Sequence, residues 1–356
     1  VLELREATQT VTFNVTERQT LSLLRGFSAP VILERDIAPE TRAFLFANDA
    51  DTFNKWEAGR DIAMTILASA AMDQDVDADS YIESLAALAI DETLDPAYRA
   101  LLLSLPSQEA IAQAIVDAGG IPDPDVIYDT REDLGYEIAL ELEEKLPALY
   151  HDMAVDGPYS PDAQAAGKRA LRATALGLLT KLDGGEAALL QFADADNMTE
   201  QLSALALAIS AGVGDDASAE FYKQWKSDTL VMDKWFAIQV AAATPDVALE
   251  VAQSLSVHLD FKWKNPNRFR SLIGPFAMSP AAFHASDGSG YEFVADWLIR
   301  LDAINPQTSA RMCGVFETWK RYDKNRQTLM TTQLRRIQTT DGLSKDASEI
   351  VGKILG

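Results

Sequence analysis

The chain has 356 residues and carries 54 Asp and Glu against 31 Lys and Arg, a formal charge of -23. Such an acidic body repels DNA, RNA and anionic membranes, so neither a nucleic-acid nor a membrane-surface role is expected. That length is enough for two or three domains and the 47% hydrophobic content supports a core, yet no apolar run approaches the roughly 20 residues of a membrane span.

No signal peptide is visible at the start. The single cysteine, Cys313, excludes an internal disulfide framework and suits a reducing compartment, so a cytoplasmic location is expected. Cys313 lies in an apolar helical pattern with Met312, Val315 and Phe316 and reads as core rather than nucleophile.

Alternating apolar and polar residues open the chain, at Val1-Leu2-Glu3-Leu4 and again from Thr10 to Val15. Leu21 to Leu24 and Pro30 to Leu33 read as further strand, and the strand signal stops after Asp36. Two or three strands do not make a stable sheet. Their partners are therefore expected upstream, which makes this a carboxy-terminal segment that begins inside a β domain.

From Pro39 onward the pattern is helical. Asp51 caps a helix carrying Phe53, Trp56, Ile62, Ile66 and Leu67, and Asp79, Pro96, Ser107 and Asp125 begin the next ones. A polar cap followed by proline recurs at Ser160-Pro161, Thr244-Pro245, Asn265-Pro266, Ser279-Pro280 and Asn305-Pro306. Glycines at 119–120, 157, 184–185, 212 and 214 punctuate the ends. About fifteen helices with short connections give a mainly α fold, a solenoid-like superhelix of stacked antiparallel pairs with a concave face.

Catalytic and metal motifs are missing. His151, His258 and His284 have no partner four residues away, so no HExxH zinc helix exists in this chain. His284, beside Phe283, reads as structural. Asp73 to Asp79 mimics an EF-hand loop, but Ala78 stands where glycine is required and Ser84 where glutamate is, so it reads as a solvated acidic loop. Glu143 and Glu144 read as a solvated helix face. Asp287-Gly288-Ser289-Gly290 reads as a turn that starts the helix at Tyr291. The six tryptophans read as packing. Trp263, between Lys262 and Lys264, is the exception that falls outside a predicted helix.

Charge is uneven along the chain. Residues 1–260 hold 45 acids and 17 basic residues, whereas residues 261–356 hold 9 and 14. No Asp or Glu occurs from Phe261 to Ser286, where average composition predicts about four. This window holds Lys262, Lys264, Arg268 and Arg270. Asn265-Pro266 is a helix start, which puts both arginines in the first turn and a half, against the helix dipole. A local basic patch in an acidic protein suits a small anionic group such as a carboxylate. The alternative is that these cations are solvated or paired with acids elsewhere.

Several strings closely resemble bacterial aminopeptidase N, of the gluzincin family of zinc metallopeptidases. They are Leu24–Val31 (LRGFSAPV), Phe53–Ala58 (FNKWEA), Asn197-Met198-Thr199, Leu230–Phe236 (LVMDKWF), Asn265–Gly274 (NPNRFRSLIG), Ala282–Tyr291 (AFHASDGSGY), Asn305-Pro306-Gln307 and Lys320–Asp323 (KRYD). The match runs in register from Val1 to the end. The resemblance implies that residues 1–37 end an Ig-like β-sandwich truncated at its start, and that residues 38–356 are the carboxy-terminal helical superhelix. It also implies a parent zinc aminopeptidase that trims small peptides, with zinc and catalysis supplied by missing upstream domains. This segment would then be inactive alone, binding no zinc, and its partners would be small peptides and those upstream catalytic and β domains.

By motif, Arg270 (NPNRFR) and Arg311 (QTSAR) look like the family's arginines that face the closed chamber and meet the downstream end of the peptide. Arg268 and Asn265 are the remaining candidates for substrate binding. A guanidinium suits a peptide's terminal carboxylate. A different class of function, a free-standing helical scaffold that binds acidic peptides or proteins, is the alternative.

Overall fold

The computed structural model describes residues 3, 5–17, 19–31 and 33–356. It separates into two compact units, residues 1–62 and 63–356. Val1, Leu2, Leu4 and Ile32, which fall in the expected strands, lie outside the described residues.

In the first unit, no strand forms among the described residues. Among the described residues before 39, the backbone is irregular with a few bends and holds a single 3-10 turn at Arg25–Phe27, where Leu24, Gly26 and Phe27 all have positive φ. Among the described residues, the segments Thr10 to Val15, Leu21 to Leu24 and Pro30 to Leu33, expected as strands with partners upstream, form no ladder. A strand exists only where a neighbour completes its hydrogen bonds. Val11, Phe13 and Val15 keep the alternation of a strand but are exposed. What holds residues 22–26 is the start of a helix. Asn54 Nδ2 donates to Ser22 Oγ and to the Leu23 carbonyl at 2.8 Å each, and the Gly26 amide donates to Asp51 Oδ2 at 2.8 Å. Helix α1 (Pro39–Asn48) follows, then α2 (Thr52–Ala71), with Asp51 Oδ1 accepting from the Asn54 amide as its cap.

The second unit is a stack of short helices. They are α3 (Asp79–Ala89), α4 (Pro96–Leu102), α5 (Gln108–Asp117), α6 (Pro124–Glu141), α7 (Leu146–Asp152), α8 (Ala163–Asp183), α9 (Glu186–Asp194) and α10 (Met198–Ser210). Then come α11 (Asp215–Trp225), α12 (Thr229–Ala241), α13 (Pro245–Ser256), α14 (Pro266–Ala277), α15 (Pro280–Phe283), α16 (Ser289–Asp302) and α17 (Pro306–Met312). A 3-10 stretch at Cys313–Arg321 leads to α18 (Lys324–Gln338) and α19 (Lys345–Leu355). The described residues thus hold nineteen α-helices, more than the fifteen or so expected.

The cap-and-proline signal starts α13, α14, α15 and α17 where expected. At Ser160-Pro161 the start is displaced. Asp162 caps α8 by accepting from the Ala165 amide at 2.9 Å, and Ser160 Oγ donates to Asp162 at 2.6 Å instead. A carboxylate so placed also favours the positive end of the helix. Glu143 and Glu144 are exposed, but they lie in the turn between α6 and α7 rather than on a helix.

Most sequential helices of this unit pack on one another, and α6, α8, α10, α12, α14 and α15 also form a closed circuit, because α15 packs back on α6. A continuous apolar core runs from Leu176 to Ile354, with Phe221, Phe236, Phe269, Phe276, Phe283 and Phe316 among its fully buried members.

Candidate functional site

The acid-free window builds the N-terminus of α14. Asn265 is its cap, accepting from the Asn267 amide at 2.9 Å, and Pro266 supplies the first helical residue without a donor to satisfy. The helical turn then sends Arg268 and Arg270 to opposite sides. Arg268 is 5% exposed. Its Nε donates to Asp233 Oδ1 of α12 at 2.5 Å, its other nitrogens donate to the carbonyls of Asp260 and Thr229, and the guanidinium lies 4.8 Å from the Phe236 ring centroid. Burying that charge is tolerated because each face of it has a partner.

Arg270 is exposed, with one bond from Nη2 to Asn267 Oδ1 at 2.7 Å. Lys262 and Lys264 are exposed as well. Trp263 is half-buried, edge-on to Trp297, with the Arg300 guanidinium 4.7 Å from one ring centroid and 4.9 Å from the other. It is thus a packing residue with a cation on its open face.

Arg311 sits in the last turn of α17, whose cap Asn305 accepts from the Thr308 amide at 3.1 Å. Its position suits the negative end of the helix. It is exposed, and its side chain has no hydrogen bond or ion pair among the described residues. Helices α14 and α17 both pack on α16. The exposed guanidiniums therefore belong to two helices that share α16 as a neighbour, while Arg268 is buried where α12 packs on α14 and Asn265, itself exposed, caps α14.

A second polar assembly carries signals that sequence reasoning used only for resemblance. His284 is 4% exposed, with Nδ1 2.9 Å from the Tyr291 hydroxyl and its ring 4.1 Å from that of Tyr322. Burial, reinforced by Arg321 and Arg326, pushes its pKa down to about 3, so the imidazole is neutral at pH 7. Arg326 of α18 was not singled out at all. It is buried and reaches Asp123 at 3.4 Å, Asp125 at 3.1 Å, Asp323 at 3.0 Å and the His284 carbonyl at 2.7 Å. The AFHASDGSGY and KRYD strings supply most of this cluster.

Two cavities lie apart from Arg270 and Arg311. One of about 540 Å³ is lined by Tyr150, Arg172, Gln191 and Glu200, where Arg172 pairs with Glu200 and donates to the Tyr150 hydroxyl at 3.1 Å. The other, of about 610 Å³, is bounded by α6, α8, α10 and the end of α12, with Gln108, Tyr128, Arg131 and Lys181 on its wall.

The Cys313 thiol is buried and its pKa is pushed up to about 12, so it is a neutral core group rather than a thiolate. No group of three His, Cys, Asp or Glu among the described residues could hold a metal ion, so the residues present offer no fit for zinc. No helix among the described residues is long and apolar enough to cross a membrane.

Residues 39–356 match a family model described as "Domain of unknown function (DUF3458_C) ARM repeats". The chain is 38% identical to aminopeptidase N of Caulobacter vibrioides over 365 residues, covering all of this chain and 42% of that one. It is 36% identical to aminopeptidase N of Escherichia coli over 367 residues, again covering all of this chain and 42% of the relative. The solved structure of Legionella pneumophila aminopeptidase A in complex with aspartic acid superposes with a TM-score of 0.82 at 30% identity, over 93% of this chain and 40% of that one. The chain thus spans about two fifths of the length of the relatives it matches. It belongs to the ARM-repeat family so described, and its resemblance to bacterial aminopeptidase N extends over its whole length.

Proposed function

We propose that this chain is the helical part of a larger zinc-dependent aminopeptidase that removes amino-terminal residues from small peptides. The observation that carries this reading is whole-length similarity to aminopeptidases N, with two exposed arginines on helices that both pack on α16 in a strongly acidic chain. In this reading the helical unit closes a chamber over a catalytic domain outside this chain, which holds the zinc and performs the hydrolysis. Residues 1–37 complete a β-sandwich in the larger protein, and the exposed alternation of Val11, Phe13 and Val15 supports that assignment. The single buried cysteine suits the cytoplasm.

Arg270 and Arg311 bind the downstream end of the peptide, its carboxylate above all. Arg268 and Asn265 hold α14 so that Arg270 is presented. A hydrogen bond to a charged group contributes roughly 1.5–3 kcal/mol. Arg270→Ala or Arg311→Ala in the full-length protein is therefore expected to lower kcat/KM by about tenfold or more for peptides with a free carboxyl end. Amide-blocked peptides of the same sequence are expected to lose much less. Equal losses on both substrates would refute carboxylate recognition.

A further inference from the structure

We infer that the helical circuit of residues 63–356 opens at one joint, an ionic seam between α5–α6 and the α15–α18 region. The other joints of the circuit lie between elements close in sequence, and from α8 onward they share the apolar core that runs from Leu176 to Ile354. That core includes no residue of α5 or α6. Beside the apolar packing of α15 on α6, polar bonds from Arg326 of α18 join segments that are about 200 residues apart in sequence.

Arg326 bridges from α18 to Asp123 and Asp125 at the start of α6, while its Nε holds the His284 carbonyl just after α15. Arg321 donates to Glu109 of α5 at 2.5 Å. The two arginine side chains are 6% and 9% exposed, but Asp123, Asp125 and Glu109 are 47%, 54% and 59% exposed. The cationic half of the seam is therefore buried and the anionic half is wet.

This asymmetry decides where the circuit yields. Wet carboxylates are open to screening, whose length falls from about 10 Å at 0.1 M salt to about 3 Å at 1 M. Apolar joints gain nothing from screening and hold as salt rises. Without Arg326, Asp123, Asp125 and Asp323 would face one another with no cation between them, so attraction would turn into repulsion across the joint. Gln108, next to Glu109, lines the cavity of about 610 Å³, and so does α6. The cavity wall therefore moves with the seam, which makes the seam a gate to that space.

Hydrogen exchange read by mass spectrometry on the intact natural protein tests the seam, at 0.05 M and 1 M NaCl. Amides in residues 107–127 and 280–290 are expected to exchange at least tenfold faster at 1 M salt, with α8 to α12 unchanged. Arg326→Gln is expected to show that pattern already at 0.05 M, and Asp125→Asn a weaker form of it. Arg336→Gln, which removes the surface pair with Asp296, is expected to leave both segments as in the wild type. If Arg326→Gln does not fold, the wild-type salt series and Asp125→Asn decide the matter. Exchange that stays flat in the two segments, or that rises equally in every helix, would overturn the seam.

Discussion

Arg268 and Arg270 are two positions apart and have opposite surroundings. Arg268 is enclosed by Asp233, two carbonyls and the Phe236 ring, whereas Arg270 meets Asn267 and solvent. Removing one partner of a buried ion pair costs about 3–5 kcal/mol, because the other charge stays behind. Asp233 is not fully buried, so Arg268→Ala is expected at the lower end, about 3 kcal/mol. Arg270→Ala is expected to change stability by less than about 0.5 kcal/mol, as an exposed cation near the positive end of a helix should. Urea unfolding of the two variants checks the contrast, and similar losses would mean that Arg270 too is structural. The acid-free window was legible in the sequence, and so was its helix start. The partner was not, because Asp233 lies 35 residues away and only the packing of α12 on α14 brings it within reach.

The turn between α15 and α16 shows how much an element depends on a few backbone positions. Gly288 has a φ of +78°, a conformation that costs other residues roughly 1–2 kcal/mol. A Cβ on Gly290 would lie 2.4 Å from the Phe283 carbonyl oxygen and 2.8 Å from that of Ala282. Both obstacles are backbone, so neither can rotate aside, and α16 can approach α15 this closely only at glycine. Gly290→Ala is expected to cost about 1–3 kcal/mol, the usual range for overpacking. A chemical unfolding midpoint equal to the wild type's would show that the two helices can part without cost. Turns of this kind were readable because Gly, Asn and Pro act through their own backbone. Caps written as polar-proline pairs located four helices, yet at Ser160-Pro161 the carboxylate of Asp162 displaced the start. The strand pattern before residue 39 is legible as alternation, but a ladder also needs a neighbouring strand, which alternation alone cannot supply.

At the scale of the whole molecule, the charge imbalance and the buried cluster around His284 together set the response to acid. The chain's net charge of -23 at neutral pH opposes compactness, and titrating surface acids relieves that repulsion. His284 works against that relief. Its folded pKa of about 3 lies below the ordinary value of 6.5, so the unfolded chain binds a proton that the folded chain refuses. Its contribution is complete above pH 6.5 and is lost as pH falls, at about 1.4 kcal/mol per unit, until the folded form also protonates near pH 3. Asp323, held low chiefly by hydrogen bonds and charge from Arg326 that outweigh its burial, adds to the loss at more acid pH. Asp125 keeps half of its side chain in water, but partial desolvation still outweighs the Arg326 charge and raises it, so it acts in the opposite sense, its folded form taking up a proton first. Of these three groups, only His284 has an ordinary value inside the window between pH 5 and 7. Unfolding in urea is expected to show the wild type about 2 kcal/mol less stable at pH 5 than at pH 7. His284→Gln cannot take up that proton and is expected to be flatter across the same window, whatever its absolute stability. A wild type and variant that decline in parallel would mean that the imidazole protonates in place and that the cluster tolerates its charge.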